Sequence, residues 1–169
     1  SWTASEDTQT WEFSIRTNAK FHHGPPVTAD DIVWSFQHLA GEQKATHIVD
    51  IATLTGACVR ALGLSIAGVL GNNSELIQSV IRSGQNQGES FWELPLHEEY
   101  KELLKTPYAD LNNIGGPVAG AITAGLFLQE FVPQGTPWAH LDIAGPFIRD
   151  KEWKYFEAGA IGFGTKTLV

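Results

Sequence analysis

Residues 47–54, HIVDIATL, are apolar and β-branched apart from the single charge of Asp50. A strand apolar on both faces is expected in the middle of a helix-covered sheet. Thr55, Gly56 and Ala57 then turn the chain into the helical pattern of ACVRALG. Residues 66–70 and 138–144 supply two more short apolar strands. Between them, Asn73 or Ser74 caps a helix to about Gln87 that carries Leu76, Ile77, Val80 and Ile81 at helical spacing. Residues 117–132 form a long apolar stretch ending in Gln129 and Glu130, which predicts a buried helix. Gly116, Gly120 and Ala124, spaced by four, would let that helix approach a neighbour.

Nearer the start, residues 10–16 alternate Trp11, Phe13 and Ile15 with Glu12, Ser14 and Arg16, the period of a half-buried strand. FHHGPP, at residues 21–26, is turn chemistry. Thr28 then caps a helix to Ala40, with Asp30 and Asp31 where the dipole favours carboxylates and an apolar stripe of Ile32, Val33, Phe36 and Leu39. Alternating strands and helices predict an α/β fold, a three-layer α/β/α arrangement with a mixed, mostly parallel sheet. The character of the chain shifts near Ala40 without a Pro/Gly/Ser-rich linker, so residues 1–169 are expected to form a single fused domain.

Composition narrows the partners. Eleven Lys and Arg stand against nineteen Asp and Glu, a net charge of −8, which argues against nucleic acid or an anionic membrane. No apolar run reaches the roughly 20 residues of a membrane span. Cys58 is the sole cysteine, so no intrachain disulfide forms. The chain begins at Ser1 and has no methionine, so residue 1 is not expected to be a native translation start. These residues include no signal peptide.

From Gly41 onward the motifs are specific: GEQKATHIVDIATLTGACVRALG, FWELPLHEEYKELL, ADLNNIGGPVAGAITAGLFLQEF, WAHLDIAGP and EAGAIGFGTKTLV. This body resembles the C-terminal catalytic domain of the leucyl (cytosol) aminopeptidases. The resemblance implies a cytoplasmic parent that uses two divalent ions, zinc or manganese, to polarise a peptide carbonyl and generate hydroxide. It also implies that Thr53, Leu54 and Gly56, with Ala144 and Phe147, line the pocket for the N-terminal side chain. The Leu54 carbonyl would meet the peptide backbone.

The family's metal-binding carboxylates precede the stretch at His47, and two of them would fall near Pro26 and Thr28, neither of which is a ligand for this chemistry. Asp30 and Asp31 are adjacent on a helix and point about 100° apart, so they do not converge on one ion. His22 and His23 read as solvated loop residues. His140 and Asp142 share a strand face and read as structural polar groups, and Cys58 reads as a small buried residue. The glycines of residues 112–120 lack the GK[ST] of a phosphate loop. No catalytic residue, metal ligand or bound cofactor is therefore expected.

Residues 1–40 carry a second pattern, a Trp/Phe strand ending in Arg, then KFHHG, then PVTADDIVWSF. It resembles a segment of the extracytoplasmic oligopeptide-binding proteins of ABC importers, where it is scaffold. Together the two resemblances imply a recombined or designed chimera, catalytically inactive, with self-association and weak peptide binding as its remaining properties. A metal-dependent aminopeptidase and a weak peptide-binding module are the alternatives.

Overall fold

A computed structural model describes residues 2–4, 11–13, 28, 30, 46–152 and 156–169. The backbone divides into two compact units, Ser1–Lys44 and Ala45–Val169. In the first, β1 (Trp2–Ala4) pairs antiparallel with β2 (Trp11–Phe13), with Trp2 opposite Phe13 and Ala4 opposite Trp11. Of the strand expected over residues 10–16, Trp11–Phe13 is present, in a two-stranded sheet with β1; the remaining positions lie outside the described residues. Asp30 is helical, in keeping with the helix expected from Thr28; the rest of that helix, with His22, His23, Pro26 and Asp31, lies outside the described residues.

The second unit is built on β3 (Ile48–Ala52), β4 (Ile66–Gly71), β5 (Ser90–Glu93) and β6 (Trp138–Asp142), ordered β3-β6-β4-β5. β3 runs parallel to β6 and β4 parallel to β5, while β4 and β6 are antiparallel. The sheet is mixed and mostly parallel, as expected. Its helices are α1 (Gly56–Leu62), α2 (Ser74–Gln87) and α3 (Gly120–Gln129), with a 3₁₀ segment at Glu98–Leu104. A two-residue hairpin, β7 (Ile148–Arg149) with β8 (Gly159–Ala160), precedes the short α4 (Thr165–Leu168).

Helices cover both faces. Glycines show how close they come, because a Cβ added at each would collide with the opposite element. At Gly68 of β4 it would meet Cys58 Sγ of α1 at 3.0 Å, and at Gly125 of α3 it would meet Leu70 Cδ2 at 2.8 Å. At Gly71, facing the other way, it would meet Ile77 Cδ1 of α2 at 3.3 Å. The main core lies on this second face and joins Ala67, Val69, Ile77, Val80, Phe91, Ala139, Leu141 and Phe163. Gly120 brings α3 onto α1, where an added Cβ would be 2.9 Å from Ala57 Cβ, so one of the two spaced glycines has the expected role. Gly116 lies ahead of the helix, in open space at φ 100°.

One expectation is corrected. The stretch at residue 47 was expected in the middle of the sheet, but among the described strands β3 pairs with β6 alone. Val49 and Ile51 remain 36% and 39% exposed. The wholly buried strand is β6, all five residues of WAHLD. Apolar content misled here because β6 buries an aspartate whose donors, and a histidine whose Nδ1 partner, come from neighbouring elements, which composition does not show.

Candidate functional site

Parallel pairing of β3 and β6 sets their C-terminal ends side by side, with Ala52 opposite Asp142. The ladder continues one step, Ile143 N donating to Ala52 O at 2.9 Å. Asp142 is fully buried, and a carboxylate without water must find donors in the protein. It finds four. Oδ1 accepts from Leu54 N (3.1 Å), Thr55 N (3.3 Å) and Ala144 N (3.2 Å), and Oδ2 accepts from the Thr55 hydroxyl at 2.6 Å.

Thr55 passes the restraint on. Its backbone is extended, at φ −134° and ψ 135°, and its Oγ1 accepts from Cys58 N at 2.9 Å, capping α1. One carboxylate therefore fixes the strand end, the turn and, through Thr55, an N–H of the first helical turn. Cys58 Sγ lies 3.6 Å from Asp142 O. Burial and then the nearby Asp142 charge push the thiol up to about 11, so it stays protonated and unreactive near neutrality. The reading of Cys58 as a buried small residue holds.

A second network spans the same two strands at their middle. Asp50 stands opposite His140, with Oδ1 at 2.5 Å from His140 Nδ1, while Oδ2 accepts from Trp138 Nε1 at 2.6 Å. Burial pushes the Asp50 carboxyl upward, but the bonds and charge of His140 and the bond of Trp138 together outweigh it and hold the group below its ordinary value. His140 Nε2 is buried without a hydrogen-bond partner among the described residues.

The residues expected to face a substrate fall at this end of the sheet. Thr53 and Gly56 are exposed in the turn, Leu54 is 38% exposed, and Gly56 has open space where a Cβ would stand. Leu54 and Ala144 are drawn together by sharing Asp142 Oδ1. Phe147, 37% exposed, is tied to the same segment by its N–H to Ile143 O at 3.2 Å. Sequence reasoning named these positions and read Asp142 as a structural polar group, as it is, but did not connect it to Thr55 and the turn it arranges. Thr55, three residues before Cys58 at a helix start, carried a capping signal that the turn reading did not use.

Among the described residues the carboxylates do not suit a two-metal centre. Hard divalent ions need several oxygens converging on one point, yet both oxygens of Asp142 and both of Asp50 are taken by protein donors. Among the described residues no three His, Cys, Asp or Glu side chains are grouped to hold an ion.

Residues 23–169 match the catalytic domain of the cytosol aminopeptidase family. The match begins ahead of Gly41, so it takes in residues on both sides of the change in character near Ala40. A probable cytosol aminopeptidase of Picosynechococcus sp. is 52% identical over 156 residues, 92% of this chain and 30% of that protein. Among solved structures, the bottromycin maturation enzyme BotP in complex with Mn superposes with a TM-score of 0.72 at 38% identity, over 82% of this chain and 30% of BotP. A tomato leucine aminopeptidase mutant gives 0.67 at 38%, over 83% and 26%. The chain spans about 30% of the length of the curated relatives it matches.

Proposed function

The chain belongs to the cytosol aminopeptidase family, and on that premise we propose that it is a catalytically silent piece of such an enzyme's catalytic domain. It keeps the turn that would face a peptide's N-terminal residue, and the described residues beside it form no metal centre. The observation that carries this reading is the Asp142 clamp. The buried carboxylate nearest the turn takes its four donors from Leu54, Thr55 and Ala144, so it serves to organise the backbone.

The first 40 residues, in this reading, are a segment like that of a solute-binding protein, joined by recombination or design where the parent's metal-binding carboxylates would lie. Residues 41–45, GEQKA, contain no proline or serine padding, which supports one fused domain over two tethered ones. The remaining activity is weak peptide binding. Thr53, Leu54, Gly56, Ala144 and Phe147 would contact the terminal side chain, and the Leu54 carbonyl would accept from the peptide backbone. Neither nucleic acid nor membrane is a partner in this reading, which the charge of −8 supports. No helix among the described residues is long and apolar enough to cross a membrane. The exposure of Tyr108 (94%), Ile114 (67%), Val118 (63%) and Phe131 (70%) supports self-association.

A metal-dependent aminopeptidase is the competing reading, and the likeness to a manganese-bound structure favours it. It would need its ligands from outside the described residues. Metal analysis of the purified chain, with a leucine-anilide hydrolysis assay, separates the two. The proposal expects no stoichiometric metal and no turnover, and bound zinc or manganese accompanied by turnover would refute it.

A further inference from the structure

A second cavity, of about 270 Å³, opens where β4 and β5 begin, between the end of α2, the β7–β8 hairpin and α4. Because β4 is antiparallel to β6, this is the same end of the sheet as the Asp142 turn. It is a different cavity, and none of Thr53, Leu54, Gly56, Ala144 or Phe147 lines it.

Its charge is unusual for an acidic chain. Arg149 and Lys166 both line it, against a single carboxylate, Glu89. Glu89 is already committed, one oxygen accepting from Gly164 N at 2.9 Å and the other from the Thr167 hydroxyl at 2.5 Å. Arg149 is fixed to the wall by donating Nη1 to Leu64 O at 2.6 Å. A guanidinium carries five N–H donors and an ammonium three, so each can add an anion to the partners it keeps. The rest of the wall is mixed: Ser65, Gln87 and Ser90 are polar, and Phe156, Ile161 and Phe163 form its apolar part. Phe163 is buried and held against Phe91 with ring centroids 5.2 Å apart.

We propose that this cavity binds a small organic monoanion, a carboxylate on an aromatic or branched apolar body. The carboxylate would sit at Arg149 and Lys166, and the body on Phe156, Ile161 and Phe163. At about 270 Å³ the space is slightly under the usual range for ligand pockets, which fits one amino-acid-sized molecule and excludes a peptide. A planar carboxylate suits the planar fork of Arg149. The site does not depend on whether the chain hydrolyses peptides.

The test is an amide NMR titration of the full ¹⁵N-labelled chain with 3-phenylpropionate, run beside 3-phenylpropanol and inorganic phosphate. The expected result is saturable shifts at Ser90, Gly162 and Lys166 with the acid. The neutral alcohol and the bare phosphate should each bind at least about tenfold more weakly, since each lacks one of the two interactions. Lys166 is exposed on α4, so K166Q should leave distant amides unmoved and weaken the acid about tenfold. R149Q should weaken it similarly, but it also breaks the bond to Leu64 O; Lys166 keeps a partner too, so unmoved distant amides in K166Q are what separate binding from folding. Equal binding of acid and alcohol, equal binding of acid and phosphate, unchanged affinity in K166Q, or no saturable shift at these amides would each overturn the proposal.

Discussion

Asp142, at the end of β6, takes the hydroxyl of Thr55 at 2.6 Å, 87 residues away in the chain. That bond joins the buried strand β6 to the turn that, in the proposed reading, would meet a peptide. Replacing Asp142 with Ala strands three N–H groups and one hydroxyl, and should cost about 2–4 kcal/mol of stability. Thr55→Ala should cost about 1–2 kcal/mol through the lost cap, and Thr55→Ser much less. Urea unfolding of the three variants checks the order, and an Asp142→Ala loss smaller than that of Thr55→Ala would contradict it.

Asp50 should make the chain sensitive to acid. Its folded value lies below its ordinary value of 3.8, so its contribution is complete above that pH and is lost as pH falls through the folded value. The loss therefore begins below about pH 4. Asp50→Asn should flatten this part of the curve of unfolding midpoint against pH. Parallel acid limbs in the two proteins would show that Asp50 makes no such contribution.

Cys58 should resist alkylation while the chain is folded. With its thiol pushed up to about 11, only about 0.1% is thiolate at pH 8, and burial shields that fraction. Iodoacetamide should label the native chain far more slowly than the urea-unfolded chain. Equal rates would mean that α1 opens readily from the sheet.

Gly145 and Gly56 should respond oppositely to alanine. A Cβ at Gly145 would run into the backbone carbonyl of Gly63, which cannot swing aside, whereas a Cβ at Gly56 meets nothing within 4 Å. Gly145→Ala should cost roughly 2 kcal/mol or more, and Gly56→Ala within about 0.5 kcal/mol either way. Thermal unfolding of the pair measures the difference.

The order of elements in the larger unit was legible in the sequence. Thr55, Asn73 and the apolar spacing of Ile77 and Val80 are local signals, and they mark α1 and α2 where they occur. The rank of the strands was not legible. HIVDIATL is the more apolar stretch, yet β6 lies deeper, because Asp142 is satisfied by Leu54 and Thr55, and His140 Nδ1 by Asp50, from distant parts of the chain. For the same reason the exposed positions of the turn could be named from sequence, while the buried carboxylate that sets them could not. A pair such as Asp50 and His140 becomes visible when strand order and register are known.

In the proposed reading this chain retains the peptide-facing turn of an aminopeptidase without its metal chemistry. The most direct measurement is hydrolysis of leucine p-nitroanilide by the full chain after incubation with manganese or zinc, against metal alone. The account predicts no release of p-nitroaniline above the metal blank. Turnover that rises with the chain's concentration and is abolished by a chelator would contradict it.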